Sequence, residues 1–206
     1  MNKKQEVKMT SPAKIYGLVL SGGKSTRMGK DKGLIEYHGI PQREYLYYML
    51  SKVCDQTFIS LRNEQQAGLP VEIKSIIDLN EFKGPYNGLL SAHKKYPEVA
   101  WLVLACDLPL IDLPALQELI AARDPQKQAT AFALRQNPLP EPLCALWEPH
   151  ALQDSVAYLE NGNGTCPRKY LINHDTKLVF PSNENVLLNA NSEAEYKEAL
   201  KRLAEV

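Results

Sequence analysis

A short apolar run followed at once by a glycine pair, near the start of the chain, most limits how this sequence can fold. Residues Ile15–Leu20 are mostly apolar, which is typical of a strand buried inside a sheet. Gly22 and Gly23 follow directly after Ser21, and glycine lets a backbone turn sharply and approach a ligand because it has no Cβ. The pattern predicts a strand and then a loop whose N–H groups can surround an anion, most often phosphate.

Two commoner phosphate-binding loops do not fit this stretch. The Walker pattern needs a glycine where the chain has Leu18. The dinucleotide fingerprint Gly-x-Gly-x-x-Gly fails because Lys24 and Ser25 follow the glycine pair. We therefore expect a third type of loop, in which Arg27 and Lys32 bring positive charge to the anion. The alternative is a structural turn with a solvated basic face.

Apolar runs of strand length alternate with amphipathic runs of helix length in the first part of the chain. The predicted strands are Ile15–Leu20, Gln56–Leu61, 71–77 and 101–106. The predicted helices are 41–53, 86–96 and 113–122. This alternation predicts an α/β fold with a mostly parallel sheet.

The second part of the chain is less regular. Residues 130–134 and 143–147 are predicted to be two strands joined by a proline-rich turn. Helices are predicted at 149–159, 165–172 and 192–204. Ser192 and Glu195 have the spacing of a capping box at the start of the last helix.

Composition excludes several classes of protein. The 206 residues suffice for one well-buried domain, and 24 basic residues balance 24 acidic ones, so no net charge attracts nucleic acid or an acidic membrane. The apolar runs are too short for a membrane span. Residues 1–14 lack the apolar core of a signal peptide, and we expect a flexible tail there, followed by one domain over 15–206.

The cysteines indicate a reducing compartment. They are widely spaced and include no Cys-x-x-Cys pair, at Cys54, Cys106, Cys144 and Cys166. Such spacing fits neither a disulfide scaffold nor a zinc site, and we expect a cytoplasmic protein.

Asp107 is the second feature of the sequence that indicates a functional site. It follows an apolar run, so it is predicted to lie at the carboxyl edge of the sheet, where open α/β sheets bind ligands. Beside a triphosphate, such a carboxylate can hold Mg²⁺. A turn or helix-capping aspartate is the alternative, and the glycine loop in the same chain favours the metal.

Together these residues resemble the signature of nucleotidyltransferases of the molybdenum cofactor guanylyltransferase type. The chain has Leu-x-Gly-Gly-x-Ser-x-Arg-Met-Gly and then Asp-Lys, over 20–32. Residues 106–109, Cys-Asp-Leu-Pro, resemble the metal-binding Cys-Asp-x-Pro segment of that family. Residues 84–89 resemble its Gly-Pro-Leu-x-Gly loop, with Tyr86 where the family has an aliphatic residue, which leaves the local pocket shape open. The resemblance is specific through Asp107 and looser after about residue 130.

The resemblance implies a Rossmann-like three-layer α/β/α sandwich. It also implies a nucleotide-binding half over about 15–125 and an acceptor-binding half over about 126–206. The implied reaction is Mg²⁺-dependent transfer of GMP from GTP to the phosphate of molybdopterin, with pyrophosphate leaving and a guanine dinucleotide cofactor as product. Molybdoenzyme-maturation proteins are implied as further partners.

Two alternatives remain for the function. The donor can be CTP and the acceptor another pterin, a phosphosugar or an alcohol phosphate, since the same loop serves all of these. In a different class, the chain can be an accessory protein that binds nucleotide or cofactor without turnover.

The site residues that the resemblance implies fall into three groups. The catalytic residues are Arg27, Lys32 and Asp107, of which Asp107 is also the metal ligand. The donor nucleotide is bound by Leu20, Ser21, Gly22, Gly23, Lys32, Ser60, Asp78 and Asp107. The acceptor is bound by Gly84, Pro85, Asn189 and Asn191, and Arg168 is added to this group for its positive charge and not from the resemblance.

Several of these assignments have structural alternatives. Ser60 lies in a segment that matches only loosely and can belong to a solvated loop. Asp78 can form a turn with Asn80, and the loop that begins at Gly84 can be purely structural.

The acceptor side also has alternatives. Asn189 and Asn191 can face one side of an extended chain, or they can be turn residues before the last helix. Arg168 and Lys169 can form a basic patch for a phosphate, or they can lie on a solvated helix face.

Overall fold

A computed structural model describes residues 12–22 and 31–205 of the chain. Its strands are β1 (Ile15–Leu20), β2 (Gln56–Leu61), β3 (Ser75–Ile77), β4 (Ala100–Ala105), β5 (Ala129–Phe132), β6 (Cys144–Trp147) and β7 (Thr176–Val179). Its α-helices are α1 (Gln42–Leu50), α2 (Pro85–Lys95), α3 (Leu113–Ala121), α4 (Pro149–Glu160), α5 (Pro167–Asn173) and α6 (Glu193–Ala204). Short 3₁₀ turns occupy Lys32–Leu34, Asn63–Gln65 and Glu184–Leu187.

The described strands form one sheet in the order β3-β2-β1-β4-β6-β5-β7. β1 pairs in parallel with β2 and with β4, β2 pairs in parallel with β3, and β5 pairs in parallel with β7. β6 runs antiparallel to both of its neighbours, β4 and β5. The prediction of a mostly parallel sheet is therefore confirmed.

Side chains that point alternately to the two faces of the sheet divide the core into two layers. In β4, Leu102 and Leu104 join a cluster that contains residues of α1 and α3. Trp101 and Val103 point to the opposite face and join a cluster with residues of α2, α4 and α5. Because successive side chains of a strand point to opposite faces, a strand that is apolar throughout is covered on both. The predicted α/β/α sandwich is confirmed.

Most predicted elements are confirmed to within a few residues, and two differ. The strand predicted over 71–77 is only β3 (Ser75–Ile77), because a turn follows Pro70 and leaves Val71 fully exposed. β7 was not predicted, because it is a short, half-buried edge strand without a continuous apolar run.

Side chains cap the starts of two helices, and for α6 the capping residues are the ones that the sequence predicts. The Asp112 carboxylate accepts a hydrogen bond from the Ala115 N–H at 2.8 Å and caps α3. The Ser192 hydroxyl accepts from the Glu195 N–H at 3.3 Å and caps α6, while the Glu195 carboxylate accepts from the Asn191 N–H at 2.8 Å. The capping contacts thereby tie Asn191 to the start of the last helix.

In the part of the chain that the structure describes, no helix combines the length and the apolar character needed to cross a bilayer.

Candidate active site

The order of the strands opens a crevice at the carboxyl ends of β1 and β4. From β1 the chain moves outward to β2 and β3, and it then returns to the other side of β1 as β4. Open α/β sheets bind ligands at such a reversal, because the loops that leave the two central strands diverge there. Leu20 and Ala105 are paired at these strand ends, and both line a cavity of about 440 Å³.

The cavity brings together most of the described residues that the sequence analysis assigned to a site. Those that line it are Leu20, Ser21, Gly22, Lys32, Ser60, Asp78, Gly84, Pro85 and Asp107. Gly23 and Arg27 lie outside the described residues. Residues from the carboxyl ends of β1, β2 and β4 and from the start of α2 thus share one pocket.

Lys32 and Asp107 face each other in the cavity. The Lys32 Nζ lies 3.8 Å from the Asp107 Oδ2, and each side chain is about one fifth exposed. The Lys32 ammonium also donates a hydrogen bond to the side-chain oxygen of Asn191. Burial raises the pKa of the Asp107 carboxyl above its ordinary value, and the positive charge of Lys32 acts in the opposite direction.

The chemistry of Asp107 fits a magnesium ion brought in with a triphosphate. Its ion pair with Lys32 is long, which leaves acceptor capacity on the carboxylate. Within residues 12–22 and 31–205, no group of three or more His, Cys, Asp and Glu side chains is placed to hold a metal. Mg²⁺ often takes one or two carboxylates and completes its shell with phosphate oxygens and water, so a single aspartate is enough.

Asp78 and Ser60 form a buried pair beneath Gly22. The Ser60 hydroxyl donates to the Asp78 Oδ1 at 2.5 Å, and Asp78 is only 7% exposed. Burial raises the pKa of the Asp78 carboxyl, while the Ser60 and Asn87 side chains lower it by hydrogen bonding. A Cβ on Gly22 would lie 2.3 Å from the Asp78 Oδ2, so only glycine allows this approach.

The loop before α2 supplies a helix N-terminus to the cavity. Gly84 adopts φ 65° and ψ −153°, a region essentially restricted to glycine, and Pro85 begins the helix. Tyr86 is fully buried and packs edge-on against Trp147, with the ring centroids 6.3 Å apart. Tyr86 therefore points into the core, and in this loop the cavity wall is formed by Gly84, Pro85, Asn87 and Gly88.

The other three residues that the sequence analysis assigned to the acceptor make different contacts in the structure. Asn191 contacts Lys32 and so lies beside the cavity. The Asn189 amide donates to the Leu187 carbonyl at 3.3 Å. The Arg168 guanidinium donates to the Glu141 carboxylate at 2.6 Å. Arg168, Asn189 and Asn191 are all absent from the described residues that line the cavity, and of the three only Asn191 contacts a lining residue, Lys32, through a side-chain hydrogen bond.

Some cavity residues were not assigned to the site from the sequence. They include Asp31, Asn80, Phe82, Asn87, Gly88 and Cys106. Asp31, Asn87, Gly88 and Cys106 lie inside the segments that resemble the family signature, although none of them was singled out. Arg62 and Leu143 also line the cavity, and each belongs to a segment, 60–63 or 142–143, that resembles the donor or the acceptor side of the family only loosely. Asn80 and Phe82 line the cavity through loop packing, which no local pattern predicts.

We expect Gly88→Ala to destabilise the protein, although alanine is normally the better helix former. Its Cβ would lie 2.2 Å from the Ser60 Oγ and 2.8 Å from the Leu20 Cδ2. Ser60 can withdraw only by breaking its hydrogen bond to Asp78. Overpacking of this kind costs about 1–3 kcal/mol, which exceeds the ~1 kcal/mol that alanine gains over glycine in a helix. Urea unfolding measures the difference.

The second variant Gly88→Ala/Ser60→Ala identifies the cause of that loss. Removing the Ser60 hydroxyl removes the shorter contact, so we expect the two substitutions together to cost less than the sum of their separate effects. Unfolding of Gly88→Ala at the wild-type urea concentration would contradict this view of the cavity wall.

Comparison with known proteins places these features in one family. Residues 17–178 match the model of the MobA-like NTP transferase domain. The molybdenum cofactor biosynthesis bifunctional protein of Synechocystis is 41% identical over 90% of the chain, and the chain spans 54% of that protein. The molybdenum cofactor guanylyltransferase of Pseudomonas fluorescens is 32% identical over 85% of the chain and 88% of its own length.

A solved structure supports the fold. The crystal structure of molybdopterin-guanine dinucleotide biosynthesis protein A from Archaeoglobus fulgidus superposes with a TM-score of 0.74. The match covers 93% of this chain and all of that one, at 21% identity. At that level of identity the likeness establishes the arrangement of strands and helices.

Proposed function

The chain belongs to the MobA-like NTP transferase family, and from this membership we propose that it transfers GMP from GTP to the phosphate of molybdopterin. An oxygen of the acceptor phosphate forms a bond to the α-phosphorus of GTP. The bond from that phosphorus to the bridging oxygen breaks, and pyrophosphate leaves. The product is a guanine dinucleotide form of the cofactor.

The observation that carries the proposal is the meeting of Lys32 and Asp107 at the carboxyl ends of the central strands. Phosphoryl chemistry relies mainly on positioning and on opposite charge near the reacting oxygens. The Lys32 ammonium can bind triphosphate oxygens, and the Asp107 carboxylate can hold Mg²⁺. When bound, the ion supplies positive charge that offsets the negative charge growing on the leaving pyrophosphate.

The proposed transfer reaction requires no side chain that accepts a proton. An acceptor phosphate is already ionised near neutral pH, so its oxygen can attack without a general base. No histidine is found among the described residues that line the cavity. A volume of about 440 Å³ lies within the range that holds small molecules.

Three further assignments accompany this proposal. We propose that residues 15–206 act as one domain, with donor and acceptor halves that meet where Lys32 contacts Asn191. We place the reaction in the cytoplasm, where the four free thiols stay reduced. Molybdoenzyme-maturation proteins are the proposed recipients of the product.

The identity of the donor nucleotide is tested by measuring the Tm of the purified protein with Mg²⁺ and each of GTP, CTP, ATP and UTP. At a hundredfold excess over the Kd, a ligand of the folded state adds about 2.7 kcal/mol, so we expect GTP alone to raise the Tm by roughly 5–10 °C. Pyrophosphate release on adding molybdopterin then tests the transfer.

Each other outcome has a definite meaning. A shift confined to CTP would keep the chemistry and replace the donor. Binding of GTP without pyrophosphate release in the presence of molybdopterin would indicate an accessory binding protein. No shift with any nucleotide, with or without molybdopterin, would overturn the proposal.

A further inference from the structure

Gln65 uses every hydrogen-bonding group of its amide to join separate parts of the structure. Its Nε2 donates to the Ser21 carbonyl at 3.1 Å and to the Asp31 Oδ2 at 2.6 Å. Its Oε1 accepts from the Arg62 N–H at 3.0 Å. A side-chain amide has two N–H donors and one carbonyl oxygen, so all three groups are engaged.

Two of the groups that Gln65 joins belong to the end of β1 and to the start of the turn that carries Lys32. Ser21 directly follows β1, and its N–H donates to the Ser60 carbonyl at 2.9 Å. Asp31 directly precedes Lys32, and its Oδ1 accepts from the Gly33 N–H at 2.9 Å, which caps the turn Lys32–Leu34. The Gln65 amide therefore connects the carboxyl end of β1 to the residue that starts the turn bearing Lys32.

We propose that Gln65 is a positioning residue, which holds the Asp31 carboxylate and thereby sets the Lys32 ammonium for the triphosphate. Gln65 itself is not among the described residues that line the cavity, and it acts through Asp31. The part of this inference that concerns the triphosphate rests on the proposed function. The bond between Gln65 and Asp31 stands on the geometry alone.

The charge of the side chain at position 65 provides the sharpest test. Glutamate has the shape of glutamine and keeps an oxygen for the Arg62 N–H, but it places a carboxylate against Asp31. Two facing carboxylates repel each other when both are ionised, and one of them takes up a proton more readily as the pH falls. Gln65→Glu should therefore be impaired most at alkaline pH, whereas Gln65→Leu should be impaired to the same extent at every pH.

The experiment measures the Kd of Mg²⁺–GTP by calorimetry for the full chain at pH 8 and at pH 5.5. Relative to wild type at the same pH, we expect Gln65→Glu to bind about tenfold more weakly at pH 8, the scale of a lost hydrogen bond to a charged group, and distinctly less weakly at pH 5.5. Gln66→Glu is the matched control, because Gln66 is the exposed neighbour and carries the same change of charge. It should bind as wild type does.

A reciprocal exchange tests the bond to Asp31 directly. In Gln65→Glu/Asp31→Asn the amide and the carboxylate change places, so that a hydrogen bond can form in the reverse direction. We expect this double variant to bind GTP more tightly than Gln65→Glu alone. Wild-type affinity of Gln65→Glu at both pH values, or a double variant no better than Gln65→Glu, would overturn the positioning role.

Melting temperatures separate this inference from the proposed function. If the bond exists, the fall in Tm for Gln65→Leu/Asp31→Asn is smaller than the sum of the two single falls. A wild-type protein that binds no nucleotide would refute the proposed function, and the Tm comparison would still decide whether the bond is present. Additive falls in Tm would refute the bond.

Discussion

Asp107→Asn will slow GMP transfer by about 10³-fold, the scale on which one charge-stabilising group accelerates phosphoryl transfer. The substitution keeps the shape of the side chain and removes the negative charge that can hold Mg²⁺ beside Lys32. The backbone contact of this residue, from the Ala190 N–H to the Asp107 carbonyl at 2.8 Å, is unaffected. Pyrophosphate release under saturating GTP and molybdopterin measures the loss.

The same variant should be at least as stable as the wild type at neutral pH. The pKa of Asp107 in the folded protein is raised above its ordinary value of 3.8, mainly by burial, so the folded state favours the protonated carboxyl. The stabilisation of the folded state by protonated Asp107 is complete below the ordinary pKa. It is lost as the pH rises through the raised pKa of the folded protein. Asparagine has no charge to desolvate, so its advantage in Tm appears above the raised pKa and disappears in acid.

Asp175→Asn is the matched control for both measurements. Asp175 is an exposed aspartate that pairs with Lys127, and exposed pairs contribute little to stability. We expect wild-type turnover and a Tm that changes little with this substitution. Normal turnover of Asp107→Asn would remove Asp107 from the reaction.

Arg123→Ala will cost about 3–5 kcal/mol of unfolding free energy, because it leaves a buried carboxylate without its partner. The Arg123 Nε and a terminal nitrogen donate to the Glu148 carboxylate at 2.7 and 2.8 Å, and Glu148 is 2% exposed. A further nitrogen donates to the Ala13 carbonyl at 2.7 Å. The guanidinium thus ties the chain after α3 to the start of β1 and to the end of β6.

Urea unfolding and the Tm measure this loss, which corresponds to a fall of roughly 10 °C for a protein of this size. Arg123→Met/Glu148→Leu should recover much of it, since no buried charge then remains unpaired. Lys197→Ala serves as the control, because Lys197 and Glu193 form a pair whose side chains are 71% and 78% exposed. Equal effects of Arg123→Ala and Lys197→Ala would contradict the assignment of a buried clamp.

Local patterns predicted the elements of this fold because the forces that form them act over a few residues. The apolar run Ile15–Leu20 and the run that leads to Asp107 are strands, since side chains buried on both faces of a sheet leave a continuous apolar signal. Ser192 and Glu195 mark the start of the last helix through their own side-chain groups. The short edge strand β7 has no such signal and was missed.

The sequence by itself determined the alternation of strands and helices, the glycine-rich signature and the position of Asp107 at the end of a strand. Only the tertiary structure decided which distant residues meet. Gln65 lies 34 residues from Asp31, and Lys32 lies 159 residues from Asn191. The physical reason is that such contacts depend on how whole elements pack around the sheet, whereas strand, turn and cap signals depend on neighbours in the chain.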